Sequence, residues 1–391
     1  MKLFSDAAIT GWHHGRFGRH PDRSIEDLVV EATRGALAHA QVDGADIDAI
    51  FIGHFNAGLV DDGFISALPL AADPGLRFKP AARVENACAS GSAAVYQGLA
   101  AIGSGNARNV LVVGVEKMTH RKGADVTEAL ARAGDSVREK AAGLTFPGLF
   151  AQIAKDYAAQ WGVVSEVLAL IAAKNHANGC LNPYAHFQKD LGFEFCNEVS
   201  DANPLIAAPL RKTDCAPVTD GVAALVLSSL DVALGRPQAV RFVSAANVTD
   251  VLPVAAKSMT RFEGPARAFS EAYEAAEIDV TDLDFAEVHD CFTIAELLVY
   301  EAMQLCPPGR GARMIRDGVV HRSGATPVNV SGGLKSKGHP IGATGVSMHV
   351  MAAMQLTGSA GTFQLPSPTT GAVFNMGGSA VANYVSILRA M

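Results

Sequence analysis

The sequence predicts an α/β protein made of two duplicated halves, with an extra segment inserted into the first. Three observations carry this. Short apolar runs alternate with stretches of helical spacing over most of the 391 residues. The order of those elements in the first part returns in the last part, and internal repetition is a strong sign of a duplicated unit. Between about 118 and 210 the texture changes to a mixed, more charged stretch, as expected of an insertion between core elements. The halves are placed at 1–235 and 236–391.

Ser24, followed by Glu26 and Asp27, reads as a helix start, and Leu28, Val29, Ala32, Ala36 and Leu37 give the spacing of one buried face. Ala49-Ile50-Phe51-Ile52-Gly53 and Val110-Leu111-Val112-Val113-Gly114 read as buried strands. Between them a helix follows Cys88 to roughly Ile102. It is so rich in Ala, Gly and Ser that it has little polar face and belongs between layers. The inserted stretch predicts helices around 150–160 and 165–178, then a loop through Asn182-Pro183-Tyr184. Strand character returns at 220–227.

The second half answers the first. Residues 283–288 match 47–52, Val328-Asn329-Val330 with its glycine-rich loop matches the strand and loop before the Cys88 helix, and 378–385 matches 220–227. Two stacked α/β halves, each with a parallel-type sheet, would hold the small-residue helices between them and bring two helix N-termini to one shared site.

The net charge of −7 argues against nucleic acid as the main partner. Cysteines at 88, 180, 196, 215, 291 and 306 include no Cys-x-x-Cys pair, so neither a zinc site nor a disulfide framework is expected. Free thiols suit a reducing compartment. The first residues lack a secretory core, no apolar run reaches membrane-spanning length, and the chain does not end in Ser-Lys-Leu, which makes the cytoplasm the expected location.

Four segments carry candidate chemistry. Asn86-Ala87-Cys88-Ala89-Ser90-Gly91 puts a thiol at a helix N-terminus, where the dipole and unpaired N–H groups would favour thiolate; a free cysteine also packs commonly as a small hydrophobe. His289-Asp290-Cys291-Phe292 stands where a strand should end. In Ser331-Gly332-Gly333-Leu334-Lys335-Ser336-Lys337-Gly338-His339-Pro340-Ile341-Gly342-Ala343-Thr344-Gly345, Pro340 suits a first helical residue and so sets His339 at a helix start. The spacing is not that of a phosphate-binding P-loop, and no Gly-x-Gly-x-x-Gly follows the early strands. Asn375-Met376-Gly377-Gly378-Ser379 offers glycines that let backbone N–H groups approach a ligand.

Together these segments resemble the thiolase family along nearly the whole chain. The resemblance implies the five-layer αβαβα thiolase fold with an inserted loop domain. Most thiolases carry a Cys-x-Gly motif where this chain has Asn375-Met376-Gly377, and Asn-Glu-Ala-Phe where it has His289-Asp290-Cys291-Phe292. The pattern found here resembles the sterol-carrier-protein-type thiolases. It implies Cys88 as the acyl-carrying nucleophile, His339 as its base, Cys291 as the second acid/base, and His289 beside the thioester oxygen. Backbone N–H groups of Cys88 and Gly377 would form an oxyanion hole. Coenzyme A and acetyl-CoA are the implied ligands, as substrates rather than bound cofactors, and Ser244 falls where some members contact the pantetheine. Arg121, Lys122, Arg132, Arg138 and Lys140 are phosphate candidates that read equally as solvated surface. A homodimer or homotetramer is implied. Two other readings stay open: a thiolase-fold retro-aldol lyase working with a partner protein, and a non-catalytic acyl-CoA-binding subunit.

Overall fold

The strands of the computed structural model repeat one order twice. The structure describes residues 6–56, 58–60, 63–135, 137–141, 145–162 and 164–391, with the side chains of 140 and 141 left aside. The first half contributes β1 (Ala7–His14), β2 (Ala49–Gly53), β3 (Ala81–Val84), β4 (Asn109–Glu116) and β5 (Gly221–Ser229). The second contributes β6 (Val240–Thr249), β7 (Phe285–Val288), β8 (Thr370–Gly377) and β9 (Ala382–Ala390). The continuous order is β3-β2-β4-β5-β1-β6-β9-β8-β7. Val328 adds a single parallel bridge to Ala286 beyond β7. Counting that bridge as a third strand, each half has its elements in the order third, second, fourth, fifth, first.

Each half is a mixed sheet rather than the parallel one expected. β2 runs parallel to both β3 and β4, and β7 parallel to β8, but β5 and β9 run antiparallel to their neighbours. The halves meet at a short antiparallel seam, Ala8 opposite Arg241 and Ile9 opposite Val240. The segment at 328–330 makes only its one bridge, because Asn329 turns to φ 57° and breaks the extended chain. The last strand starts at Ala382 rather than 378, since Gly378 (φ 63°) and Ala380 (φ 54°) form a turn first.

The layers follow from which faces are apolar. The helix Ile25–Ala40, capped by Ser24 and Asp27 as expected, lays Leu28, Val29, Ala32, Ala36 and Leu37 on the outer face of the first half. Glu263–Ala276 does the same on β6 and β9 with Ala268, Phe269 and Ala272. Two helices fill the middle: Ser90–Gly103, after Cys88, and Ile341–Leu356, after His339, the second buried along its whole length. They touch backbone to backbone. A Cβ on Gly91 would come within 2.8 Å of Gly342 O and Gly345 N, and one on Gly345 within 2.1 Å of Ser92 N. Only glycine permits that approach, and it sets the two N-termini side by side. The inserted segment adds the helices Phe146–Trp161 and Ser165–Cys180. Among the described residues, no helix is long and apolar enough to cross a membrane.

Candidate active site

Cys88 and His339 each stand two residues before the first residue of a central helix, so the glycine crossing brings them together. Cys88 Sγ and one ring nitrogen each of His289 and His339 all lie within 4.8 Å of one another, and all three residues are buried. This is also a donor set that can hold a soft divalent metal. His289 comes from the loop after β7, and its ring meets His339 edge-on with centroids 5.1 Å apart. Cys291 follows in the same loop, buried, with a charge coupling to Cys88.

The turn that presents Cys88 is clamped. Ser90 Oγ accepts the Asn86 N–H at 2.9 Å and donates to Ala87 O at 2.6 Å, while Glu85 Oε1 accepts the Ala87 N–H at 2.6 Å. Ala87 sits at φ 49°, a strained value for a residue with a side chain. The thiolate expected here is not the resting state. Burial pushes the Cys88 thiol up to about 12, with Glu116 and Glu85 adding to the rise against hydrogen bonds from the Gly378 and Cys88 N–H groups. Cys88 precedes the Ala89 N-cap and so misses the donors of the first turn. A helix terminus is worth at most about 2 kcal/mol to a charge, and full desolvation of the thiol outweighs it. The N–H of Gly378 donates to the sulfur, and the Cα of its neighbour Gly377, expected in the oxyanion hole, packs under Asn86 O.

Both histidines are neutral. Burial, then the nearby Lys337, lowers His339 to about 3, and burial with His339 as neighbour lowers His289 well below the usual imidazole value. His339 Nδ1 is 2.7 Å from Thr344 Oγ1, which itself donates to Pro340 O at 3.0 Å. Nδ1 therefore carries the proton and Nε2 keeps its lone pair. Cys291 is pushed well above the usual thiol value by burial and then by Cys88, so it too is protonated.

Buried acids hold the two catalytic loops in place. Asp290 accepts the N–H groups of Leu334 (2.6 Å) and Lys335 (3.1 Å) and the Asn175 amide (2.9 Å), which ties the His289 loop to the short helix Gly333–Lys337 before His339. Burial and the neighbouring Glu296 raise Asp290 above the usual carboxylate range. Glu296 is paired with Lys174 at 2.6 Å. Glu116, at the end of β4, accepts the N–H groups of Phe55, Asn56 and Gly342, each at 3.0 Å, and pins the start of the His339 helix to the first half. The sequence reading missed these residues, and Glu116 had one visible signal: an acid ending an otherwise apolar strand.

A cavity of about 480 Å³ lies next to the segment that carries Cys291, although neither Cys88 nor Cys291 lines it. Its walls include Phe292, next to Cys291, and Ala216, whose N–H donates to Cys291 O at 2.9 Å. Val126 lines it too and packs in the same apolar cluster as Cys88. Lys189, Lys212 and Lys335 are its cations; Arg121, Lys122, Arg132 and Arg138 lie elsewhere, Arg121 donating to Leu59 O, and the side chain of Lys140 falls outside the described residues. Ser244 does not line it either: its buried hydroxyl donates to Ala272 O at 2.7 Å, joining β6 to an outer helix.

Comparisons with known proteins identify the family. Residues 6–231 match the family described as Thiolase, N-terminal domain, and 245–390 match Thiolase C-terminal domain-like. An acetyl-CoA acetyltransferase of Methanothermobacter thermautotrophicus is 38% identical over 96% of this chain and 97% of its own length. Sterol carrier protein 2 of Homo sapiens is 32% identical over 92% of this chain and 67% of its own length. Among solved structures, the Ltp2-ChsH2(DUF35) aldolase superposes with a TM-score of 0.84 over 100% of this chain and 99% of that one, at 22% identity, a likeness of fold alone.

Proposed function

Because this chain belongs to the thiolase family and is an acyltransferase of that family, similar to the sterol-carrier-protein-type members, we propose that Cys88 is its acyl carrier and that His339, Cys291 and His289 divide the proton and oxyanion chemistry. The observation that carries this reading is the meeting of Cys88 Sγ with the two ring nitrogens at the crossing of the central helices.

In the cleavage direction His339 Nε2 takes the Cys88 proton as Sγ attacks the keto carbon of a 3-oxoacyl-CoA. The N–H groups of Cys88 and Gly378 receive the resulting oxyanion. The carbon–carbon bond then breaks, and Cys291 gives its proton to the departing acetyl-CoA enolate, whose thioester oxygen takes a hydrogen bond from His289. His339 then passes its proton to the Cys291 thiolate, which resets both groups; its free Nε2 takes the proton of the coenzyme A thiol as that sulfur attacks the Cys88 thioester, and returns it to the Cys88 sulfur as the shortened acyl-CoA is released. A resting pair of neutral thiol and neutral imidazole suits this order, since the proton moves only as the nucleophile attacks.

We place the acyl-CoA in the 480 Å³ cavity, with Lys189 and Lys212 toward its charged end. Coenzyme A and acetyl-CoA enter as substrates. The six free cysteines support a reducing, cytosolic setting. The exposed residues of the outer strand β3 support a homo-oligomer, since an open edge strand is normally covered. Retention of both Cys88 and Cys291 speaks against the lyase reading.

The test is Cys88→Ala assayed for CoA-dependent cleavage of acetoacetyl-CoA, with intact-mass detection of acetylated protein after incubation with acetyl-CoA. Loss of both is expected. Cleavage that survives would sink the assignment.

A further inference from the structure

The mechanism above gives Asn375 no task, yet its side chain joins two of the residues that have one. Asn375 lies in β8, fully buried. Its Nδ2 reaches His289 Nδ1 at 2.9 Å and the Cys88 carbonyl at 3.3 Å. A carbonyl only accepts, so the amide must turn its nitrogen toward Cys88; a half-turn would set two acceptors against each other. The same nitrogen then donates to His289 Nδ1, which must be the bare nitrogen of that ring. The ring proton is left on Nε2, which is buried with no partner among the described residues.

His339 is held in the opposite state, with its proton on Nδ1 against Thr344 and its Nε2 bare. Two neutral imidazoles packed edge to edge have no intrinsic reason to differ in this way. Resting on the reading of the site given above, we propose that Asn375 is a positioning residue that fixes His289 in its Nε2–H tautomer, so that the pair offers the reacting thioester one hydrogen-bond donor and one base. The Cys88 carbonyl is part of the device: by fixing the amide, it couples the donor state of His289 to the turn that carries the nucleophile. The amide is fully committed to this arrangement, because its Oδ1 is buried without a hydrogen bond, a cost normally met only where something is gained.

Two variants and one spectroscopic signature test this. Asn375→Ala deletes the donor; Asn375→Asp keeps the shape but replaces the donor with an acceptor, which demands a proton on His289 Nδ1. For Asn375→Ala, kcat for acetyl-CoA condensation should fall roughly 100-fold, the scale of losing one preorganised oxyanion donor. Its KM for acetyl-CoA and the rate of Cys88 alkylation by iodoacetamide should stay within about threefold, because neither depends on the His289 donor. In ring-15N-histidine-labelled protein, with the His289 signal assigned by its loss in His289→Gln, Nδ1 should read as bare in the native chain and protonated in Asn375→Asp. A protonated Nδ1 in the native protein overturns the proposal even if both Asn375 variants fail to fold. So does a folded Asn375→Ala with native kcat while Cys88→Ala is inactive, a result that leaves the thiolase assignment standing. Activity in Cys88→Ala instead removes the site reading on which the proposal rests.

Discussion

Thr344 accepts the Nδ1 proton of His339 at 2.7 Å and gives its own proton to Pro340 O at 3.0 Å, so one hydroxyl decides which face of the imidazole is the base. Thr344→Val keeps the volume and removes the acceptor. The expected loss is roughly 10- to 100-fold in kcat/KM, the scale of an orienting hydrogen bond to a reacting histidine. Alkylation of Cys88 should slow in step, and Thr344→Ser should restore most of both. Native kinetics in Thr344→Val would show that the ring is held by packing alone.

Cys291 is expected to matter for one half of the reaction only. With its thiol protonated beside Cys88, it can give a proton to the enolate or, in condensation, once its own proton has passed to His339, take one from acetyl-CoA. Cys291→Ala should still yield acetylated Cys88 by intact mass. Its condensation rate should fall by roughly 10² to 10⁴, the usual contribution of a positioned acid/base. Equal loss of acetylation and condensation would mean that the variant damages the Cys88 turn instead.

The glycine crossing predicts a split between stability and activity. In Gly345→Ala the new methyl meets the Ser92 backbone, and the helices must separate to admit it. Overpacking of this kind costs about 1–3 kcal/mol, but the displacement falls on Cys88 and His339. Activity should therefore drop far more than the melting temperature. Gly123→Ala, at an exposed helix start with open space around its Cβ position, is the control and should change neither.

Stability should fall on mild acidification. His14, His289, His339 and His349 are buried, and each is held below the usual imidazole value chiefly by that burial, His339 to about 3 and His349 to about 4. Below about pH 6.5 the unfolded chain binds protons at these sites and the folded chain does not, so stability present above that pH is lost as pH falls, by up to ~1.4 kcal/mol per pH unit for each histidine. Asp290 and Glu287, both raised by burial, oppose this but are fewer. Thermal melts between pH 7.5 and 5 check the sign. A melting temperature that rises toward pH 5 would refute it.

The sequence by itself determined the plan: the order of elements, their repetition, the glycine-rich central helices and the motifs around Cys88, His289, Cys291 and His339. These are local signals of period, composition and spacing, and they survive in one dimension. The tertiary structure decided the state of each group. Whether Cys88 is thiolate or thiol depends on how completely it is buried, and that burial comes from Met118, Val126 and Ile341, residues 30 or more positions away. The Gly378 donor depends on a turn set by positive φ values at Gly378 and Ala380. The hydroxyl of Ser244, within β6, is taken by a carbonyl of an outer helix. Asn375 reads in one dimension only as the absence of a thiol; its amide gains a role because β8 ends beside the start of the Cys88 helix and the loop of His289. Desolvation and hydrogen-bond direction are set by what packs around a group in three dimensions, and no local pattern encodes that.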